Sequence, residues 1–226
     1  MKILLKLILF TLLSSVVISC SPDRLKPIRK LARSQNLEKK EEAALLYKEA
    51  VSTLVNAYSS SAGLNKTIGK QLLIKGAYEK ALEHLEQSRD IINNDFETYH
   101  CIAICHVNLY KINRNKEHLI KAKENYKYAL NISPDRPGVL YDYAQLLVFG
   151  TEEYQEAVNI LTHYIYKLKT QDKNGYFLLG RSLFLLGEYD KAYEVYSSIY
   201  NFEKELTAEE KTSLDGFIAE TLNKKR

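Results

Sequence analysis

The chain has 226 residues, a formal net charge of +4, and 46% hydrophobic and 27% charged residues. That balance is ordinary for a folded protein and excludes a disordered or collagenous chain. With only nine glycines and four prolines, an all-β chain with many tight turns is also excluded.

The chain opens with MKILLKLILFTLLSSVVISC. Lys2 and Lys6 form a short positive region, and the apolar core runs from Ile3 to Ile18. A spanning helix needs about 20 apolar residues, so residues 1–19 fit a cleaved secretory signal better than a permanent span. Val17-Ile18-Ser19-Cys20 resembles the lipobox of bacterial lipoproteins, although Ile18 is bulkier than the small residue usual two before the cysteine. The resemblance implies that Cys20 is acylated and becomes the first residue of the mature chain. An ordinary signal peptide and an uncleaved signal anchor are the alternatives, and each puts the rest of the chain across a membrane. Residues 20–40 form a basic tether, with Arg24, Lys26, Arg29, Lys30, Arg33, Lys39 and Lys40 against only Asp23 and Glu38. Such a stretch suits an anionic bilayer surface. Nucleic acid is not an expected partner. The chain has Ser21 after the cysteine and no aspartate there, so the expected location is the cell envelope, the outer membrane before the inner.

Beyond the tether, small residues recur at a fixed period. Ala81, Ala122, Ala157 and Ala192 are spaced by 41, 35 and 35 residues. The clearest unit is Tyr176-x2-Leu179-Gly180-x2-Leu183, then Gly187-x-Tyr189-x2-Ala192-x3-Tyr196. Leu179, Leu183 and Leu186 share a helix face. Gly180 allows a partner helix to approach, Gly187 closes the first helix, and Ala192 and Tyr196 fill the contact from the second. The pattern resembles the tetratricopeptide repeat. It recurs as Ile68-Gly69-x2-Leu72 with Ala81 and Leu85, as Tyr99-x2-Ile102-Ala103 with Ala122 and Tyr126, and as Tyr143-Ala144-x2-Leu147 with Ala157 and Leu161. The implied fold is all-α: a right-handed solenoid of antiparallel helix pairs, in ten to twelve helices.

The units fall at 41–62 (a degenerate first unit around Ala43, Tyr47 and Ala50), 63–95, 96–136, 137–171 and 172–204. Lys111 to Glu117 reads as an insertion, either a polar loop or extra helical turns, and the turn from Phe149 to Glu153 is one residue longer than the pattern requires. Residues 205–226 form a capping helix and tail, opened by the capping box Thr207-Ala208-Glu209-Glu210. Leu214, Phe217, Ile218 and Leu222 lie on one side of that helix, to cover the last repeat.

The resemblance implies a non-catalytic interaction protein whose groove, lined by first helices, takes a peptide or helix of an envelope or periplasmic partner. Carried over residue by residue, the groove positions are Lys66, Lys70, His100, Ile104, Tyr141, Gln145, Phe177, Arg181 and Phe184. Arg181, flanked by Phe177 and Phe184, is placed to grip a carboxylate. The same architecture occurs in lipoproteins that help assemble outer-membrane barrels, which is one alternative. Another comes from His100-Cys101-Ile102-Ala103-Ile104-Cys105-His106: four metal-ligand types in seven residues, open to a metal or redox role. The C-x3-C-H spacing is one residue too long for haem attachment, and helix-packing cysteines explain the segment more simply. No nucleophile elbow, zinc-protease or phosphate-loop motif occurs. Neither a cofactor nor a small-molecule substrate is expected. Tyr126, Tyr128, Tyr164 and Tyr166 read as interhelical packing rather than as a stacking platform for bases.

Overall fold

The computed structural model describes residues 25–225 of the chain, apart from the side chain of Glu203. The signal sequence and Cys20 lie outside the described residues. Ten α-helices and no strand occur among the described residues, and no described helix is long and apolar enough to cross a membrane.

Two compact units divide at residues 60 and 61. The described part of the first holds α1 (Leu25–Ala32) and the opening of α2 (Leu37–Ile74). Asn36 caps α2, its Oδ1 accepting from the backbone N–H of Glu38 at 2.8 Å. α2 is 38 residues long and continuous, so the boundary expected after residue 62 falls inside a helix. Nothing in the segment forces the chain out: Gly63 sits mid-helix, and an added Cβ there would meet nothing within 4 Å. The helix ends at Gly76, which takes the left-handed φ of 75° that glycine tolerates.

The second unit is built of helix pairs. α2 ends against α3 (Tyr78–Ile91). α4 (Phe96–Asn113) pairs with α5 (Glu117–Ile132), α6 (Pro137–Leu146) with α7 (Tyr154–Thr162), and α8 (Lys173–Leu185) with α9 (Tyr189–Ser198). The recurring small residues are the contact points, and Ala81, Ala122, Ala157 and Ala192 are all fully buried. Their large neighbours one turn on, Leu85, Tyr126, Leu161 and Tyr196, are at most 3% exposed. Opposite them, a Cβ on Gly69 would sit 2.6 Å from Leu85, and one on Gly180 2.5 Å from Tyr196. Both distances are shorter than a carbon–carbon contact allows, so these helices meet at glycine because only glycine fits.

The sequence irregularities are resolved in three different ways. Of the expected insertion, Lys111 to Asn113 lengthen α4 to 18 residues, against 13 in α8. Arg114 then turns the chain at φ 58°. The over-long turn after α6 takes up its extra residue as a π-helical turn, Leu147–Thr151, closed by Glu152 at φ 58°. One residue more or fewer than a regular helix needs is commonly absorbed in this way. A second π-helical turn, His163–Lys167, ends the α7 helix. After α9, a 3₁₀ segment (Ile199–Glu205) leads to α10 (Ala208–Lys224). There Thr207 Oγ1 accepts from the Glu210 N–H at 3.2 Å, and Glu210 Oε2 accepts from the Thr207 N–H at 2.8 Å. α10 covers the last pair with Leu214, which is fully buried, and with Phe217, stacked on Tyr196 at 5.5 Å. Leu222 stays 42% exposed while its neighbour Thr221 is fully buried, so at the end of the helix Thr221, not Leu222, faces the covered side.

Candidate functional site: a groove along the first helices

The first helices α4, α6 and α8 present one side of each to a shared groove. Two clefts make it up. The first, about 500 Å³, lies between α4 and α6, with Ile104, Lys111 and Arg114 on one wall and Asp142, Gln145 and Phe149 on the other. The second, about 430 Å³, lies between α6 and α8 and is closed by α10, with Tyr141, Phe177, Arg181 and Phe217 in its walls. Gln145 and Phe149 line both clefts and form the ridge between them.

Arg181 emerges next to the packed seam, as its place after Gly180 requires. It is exposed, and its guanidinium carbon lies 5.3 Å from the ring centroid of Phe149. The ring beneath it is therefore not Phe184, which packs edge-on against Tyr189 at 5.4 Å. Phe184 lines neither cleft; the expectation that it flanks Arg181 in the groove is corrected, because its side chain is drawn to the adjoining second helix. Phe177 does share the cleft with Arg181, but its other side meets Phe217 of α10 at 6.5 Å. Tyr141 is half-buried, 5.9 Å from the Tyr164 ring, and burial pushes its hydroxyl above the ordinary phenol range. Gln145 is exposed.

The N-terminal end of the expected groove is occupied by its own ion pairs. Lys66 Nζ lies 2.9 Å from Asp95 and 3.1 Å from Glu97, and Lys70 also pairs with Glu97. The hydrogen bond from Lys70 is the main reason the Glu97 carboxyl is held below its usual range. Burial alone would raise Asp95, but hydrogen bonds from Thr98 and Lys66 hold it low. These lysines are therefore spent on tying α2 to the start of α4. His100 is likewise engaged, its Nε2 2.8 Å from Asp142 Oδ2 across the α4–α6 gap. Ile104 keeps its place in the first cleft.

Residues outside the expected set complete the site. Lys111 and Arg114 come from the insertion, and Arg114 lies 5.7 Å from the Tyr110 ring centroid. Phe149 comes from the π-helical turn, one turn beyond Gln145. The charges are unevenly satisfied. Asp142 is paired with His100, and Glu210 with Lys173 at 2.8 Å. Among the described residues no carboxylate pairs with Lys111, Arg114 or Arg181. Only Glu209, at the rim of the second cleft, is an acid without such a partner. The groove thus offers an excess of cations, two of them lying over aromatic rings.

The cysteine–histidine segment does not form a site of this kind. Cys101 and Cys105 are buried free thiols, and burial pushes them up to about 11 and about 12. A thiol held protonated is a poor nucleophile and a poor metal ligand. His106 turns away to His118 on α5, with 3.0 Å between the two Nδ1 atoms, and burial pushes it down to about 4. Among the described residues no group of three or more potential ligands converges. The tyrosines divide: Tyr126 is buried and stacked on Tyr143, and Tyr164 is buried with its hydroxyl donating to Asp172 at 2.8 Å. Tyr128 and Tyr166 are more than half exposed, Tyr128 stacked on Tyr99 and Tyr166 set edge-on to Tyr176.

Helix pairs meeting at small residues, a groove of first helices and a terminal capping helix define an all-α, tetratricopeptide-like right-handed solenoid. No family model matches the chain, and no curated protein sequence is similar to it. Solved structures are. MamA from Desulfovibrio magneticus RS-1 is 18% identical over 74% of this chain and 96% of its own, with a TM-score of 0.57. MamA of MSR-1 is 20% identical over 72% of this chain and 85% of its own, at 0.58. Pseudomonas aeruginosa PilF is 18% identical over 75% of this chain and 71% of its own, at 0.56. At that identity the likeness is one of fold.

Proposed function

We propose that this chain is a non-catalytic interaction scaffold, tethered to a bacterial envelope membrane through acylated Cys20. Its groove between α4, α6 and α8 holds a partner segment that carries carboxylates beside apolar side chains. The observation that carries the reading is the charge asymmetry of the groove: two of its three acids are already paired, while Lys111, Arg114 and Arg181 have no carboxylate partner among the described residues. A cation over an aromatic ring at the edge of a cleft is held in place yet open to a ligand, and charge-assisted hydrogen bonds from guanidinium to carboxylate are among the stronger polar contacts. The lipid anchor rests on the signal sequence and on the basic tether that follows it, and outer-membrane placement rests on Ser21.

The test is affinity capture from solubilised envelope, with the tether intact. Arg181→Glu loses the partners that the wild-type chain captures, while helicity and melting temperature stay near wild type. Capture of every wild-type partner by the variant overturns the groove assignment. Separately, Cys20→Ala abolishes fatty-acid labelling and partitioning into detergent; labelling at the wild-type level overturns the anchor.

A further inference from the structure

Between Glu49 and Lys66 α2 carries sixteen residues, AVSTLVNAYSSSAGLN, without one charged side chain. All ten residues from 51 to 60 are exposed. Among them Val51 is 58%, Leu54 43%, Val55 56% and Tyr58 63% exposed. A solvated helix normally carries charges on its open faces. Valine, serine, threonine, asparagine and tyrosine are also weak helix formers, so such a stretch depends on packing to stay helical. Its composition is that of a covered surface.

We infer that residues 44–58 of α2 pair in antiparallel fashion with the same residues of a second copy of this chain. Ala44, Tyr47, Val51, Leu54, Val55 and Tyr58 recur at spacings of three and four and share one stripe. With the two-fold axis at Val51, that residue meets its own copy, Tyr47 meets Val55, and Tyr58 meets Ala44. At these levels large faces small or medium; Leu54 falls level with Lys48, which lies at the edge of the stripe, and no two like charges face each other. A charge-free stripe selects a charge-free partner, because a charge laid against it is left buried and unpaired. No other charge-free run among the described residues is as long. The stripe offers on the order of 600 Å² per copy, at the lower edge of the roughly 800 Å² that each partner gives to a standard interface. An anionic bilayer fits less well: the flank from Glu38 to Glu49 holds four acids (Glu38, Glu41, Glu42, Glu49) against three lysines (Lys39, Lys40, Lys48), and anionic lipid favours basic flanks.

The experiment is sedimentation velocity of the full chain in density-matched detergent over a concentration series up to about 100 μM. The wild-type chain shows a reversible monomer–dimer equilibrium. Val51→Glu, on an exposed position, raises the dimer dissociation constant at least tenfold. Val51→Cys forms a disulfide-linked dimer on mild oxidation, whereas Thr53→Cys, on the opposite side of the helix, does not. A monomer at every concentration overturns the inference. So does a dimer that survives Val51→Glu, or equal cross-linking at residues 51 and 53.

Discussion

Gly180 and Arg181 are neighbours in sequence and belong to opposite regions of the molecule. Gly180 lies in the seam between α8 and α9, where even one added carbon would meet the Tyr196 ring at 2.5 Å. Arg181 stands in the groove, exposed, above the Phe149 ring. The seam is close-packed and holds the fold together; the groove is open and contributes little to it. A substitution in the seam is therefore read out in stability, and one in the groove in binding.

The largest effect belongs to the seam. Gly180→Leu drives a branched side chain into Tyr196, a residue only 3% exposed with no room to move aside. Overpacking of this kind costs about 1–3 kcal/mol, occasionally more, read as a lower urea midpoint and melting temperature. The control is Gly63→Ala, at a mid-helix glycine with open space around its Cα. There alanine relieves the entropic cost of glycine in a helix and stabilises by about 1 kcal/mol. A Gly180→Leu protein as stable as the wild type would remove the distinction between the two regions.

The seam also imposes a pH dependence. His106 is 5% exposed and pushed down to about 4, chiefly by burial and then by the neighbouring His118. In the unfolded chain it titrates near its ordinary 6.5. As the pH falls through 6.5 the unfolded chain takes up this proton before the folded one does, so stability declines. The decline continues to about pH 4, where the folded protein binds the proton too. The total is on the order of 3 kcal/mol. Urea midpoints between pH 7 and 4.5 measure it above the range where most carboxylates titrate. His106→Gln, neutral throughout, flattens that slope; an unchanged slope would mean that another group carries it.

How much of each region could be read from the residues follows from what specifies it. The seam repeats: alanine or glycine opposite a large side chain, at near-constant spacing, because each helix pair has to solve the same packing problem. Gly69, Ala81, Ala122, Ala157, Gly180 and Ala192 were legible for that reason. The groove does not repeat. Arg181, Phe177, Tyr141, Gln145 and Ile104 were placed by their offsets from the seam, and these five line the clefts. Offsets give no account of competition between side chains. Phe184 had a better contact in Tyr189, and Lys66, Lys70 and His100 had carboxylates within reach. Phe149, Lys111 and Arg114 were missed because the residues that deliver them sit in a π-helical turn and a helix extension, where the repeat frame breaks. An aromatic one turn past Gln145, at the end of a first helix, was the available signal. The continuity of α2 was hidden for the opposite reason: with no glycine or proline forcing a turn before Gly76, the chain had nothing to stop it.

A smaller effect is expected where the capping helix closes the second cleft. Thr207 both opens α10 and sets Glu210 beside the groove, where Lys173 holds the carboxylate. Thr207→Ala removes the hydroxyl that satisfies the Glu210 N–H and costs about 1 kcal/mol, as loss of an N-cap does. It also loosens the wall that carries Phe217. Thermal unfolding gives the first effect, and faster amide exchange in the opening turn of α10 gives the second. Exchange at the wild-type rate would show that Leu214 and Phe217 alone fix the helix.

The smallest stability effect separates the two regions most sharply. Arg181 touches the rest of the protein chiefly through Phe149, and an exposed cation–π contact is worth about 0.5–1 kcal/mol. A double-mutant cycle with Arg181→Ala and Phe149→Ala should return a coupling no larger than that, because both side chains are exposed and neither holds a helix pair together. Partner capture behaves differently. Arg181→Ala loses the charge and Phe149→Ala loses the surface that positions it, so either change alone weakens capture, and the double variant is little worse than Arg181→Ala. Raising the salt from low to physiological strength should weaken capture by the wild-type chain more than by Arg181→Ala, since screening acts on a charge the variant no longer has. A coupling of about 2 kcal/mol or more in stability would make Arg181 a structural residue and return it to the seam.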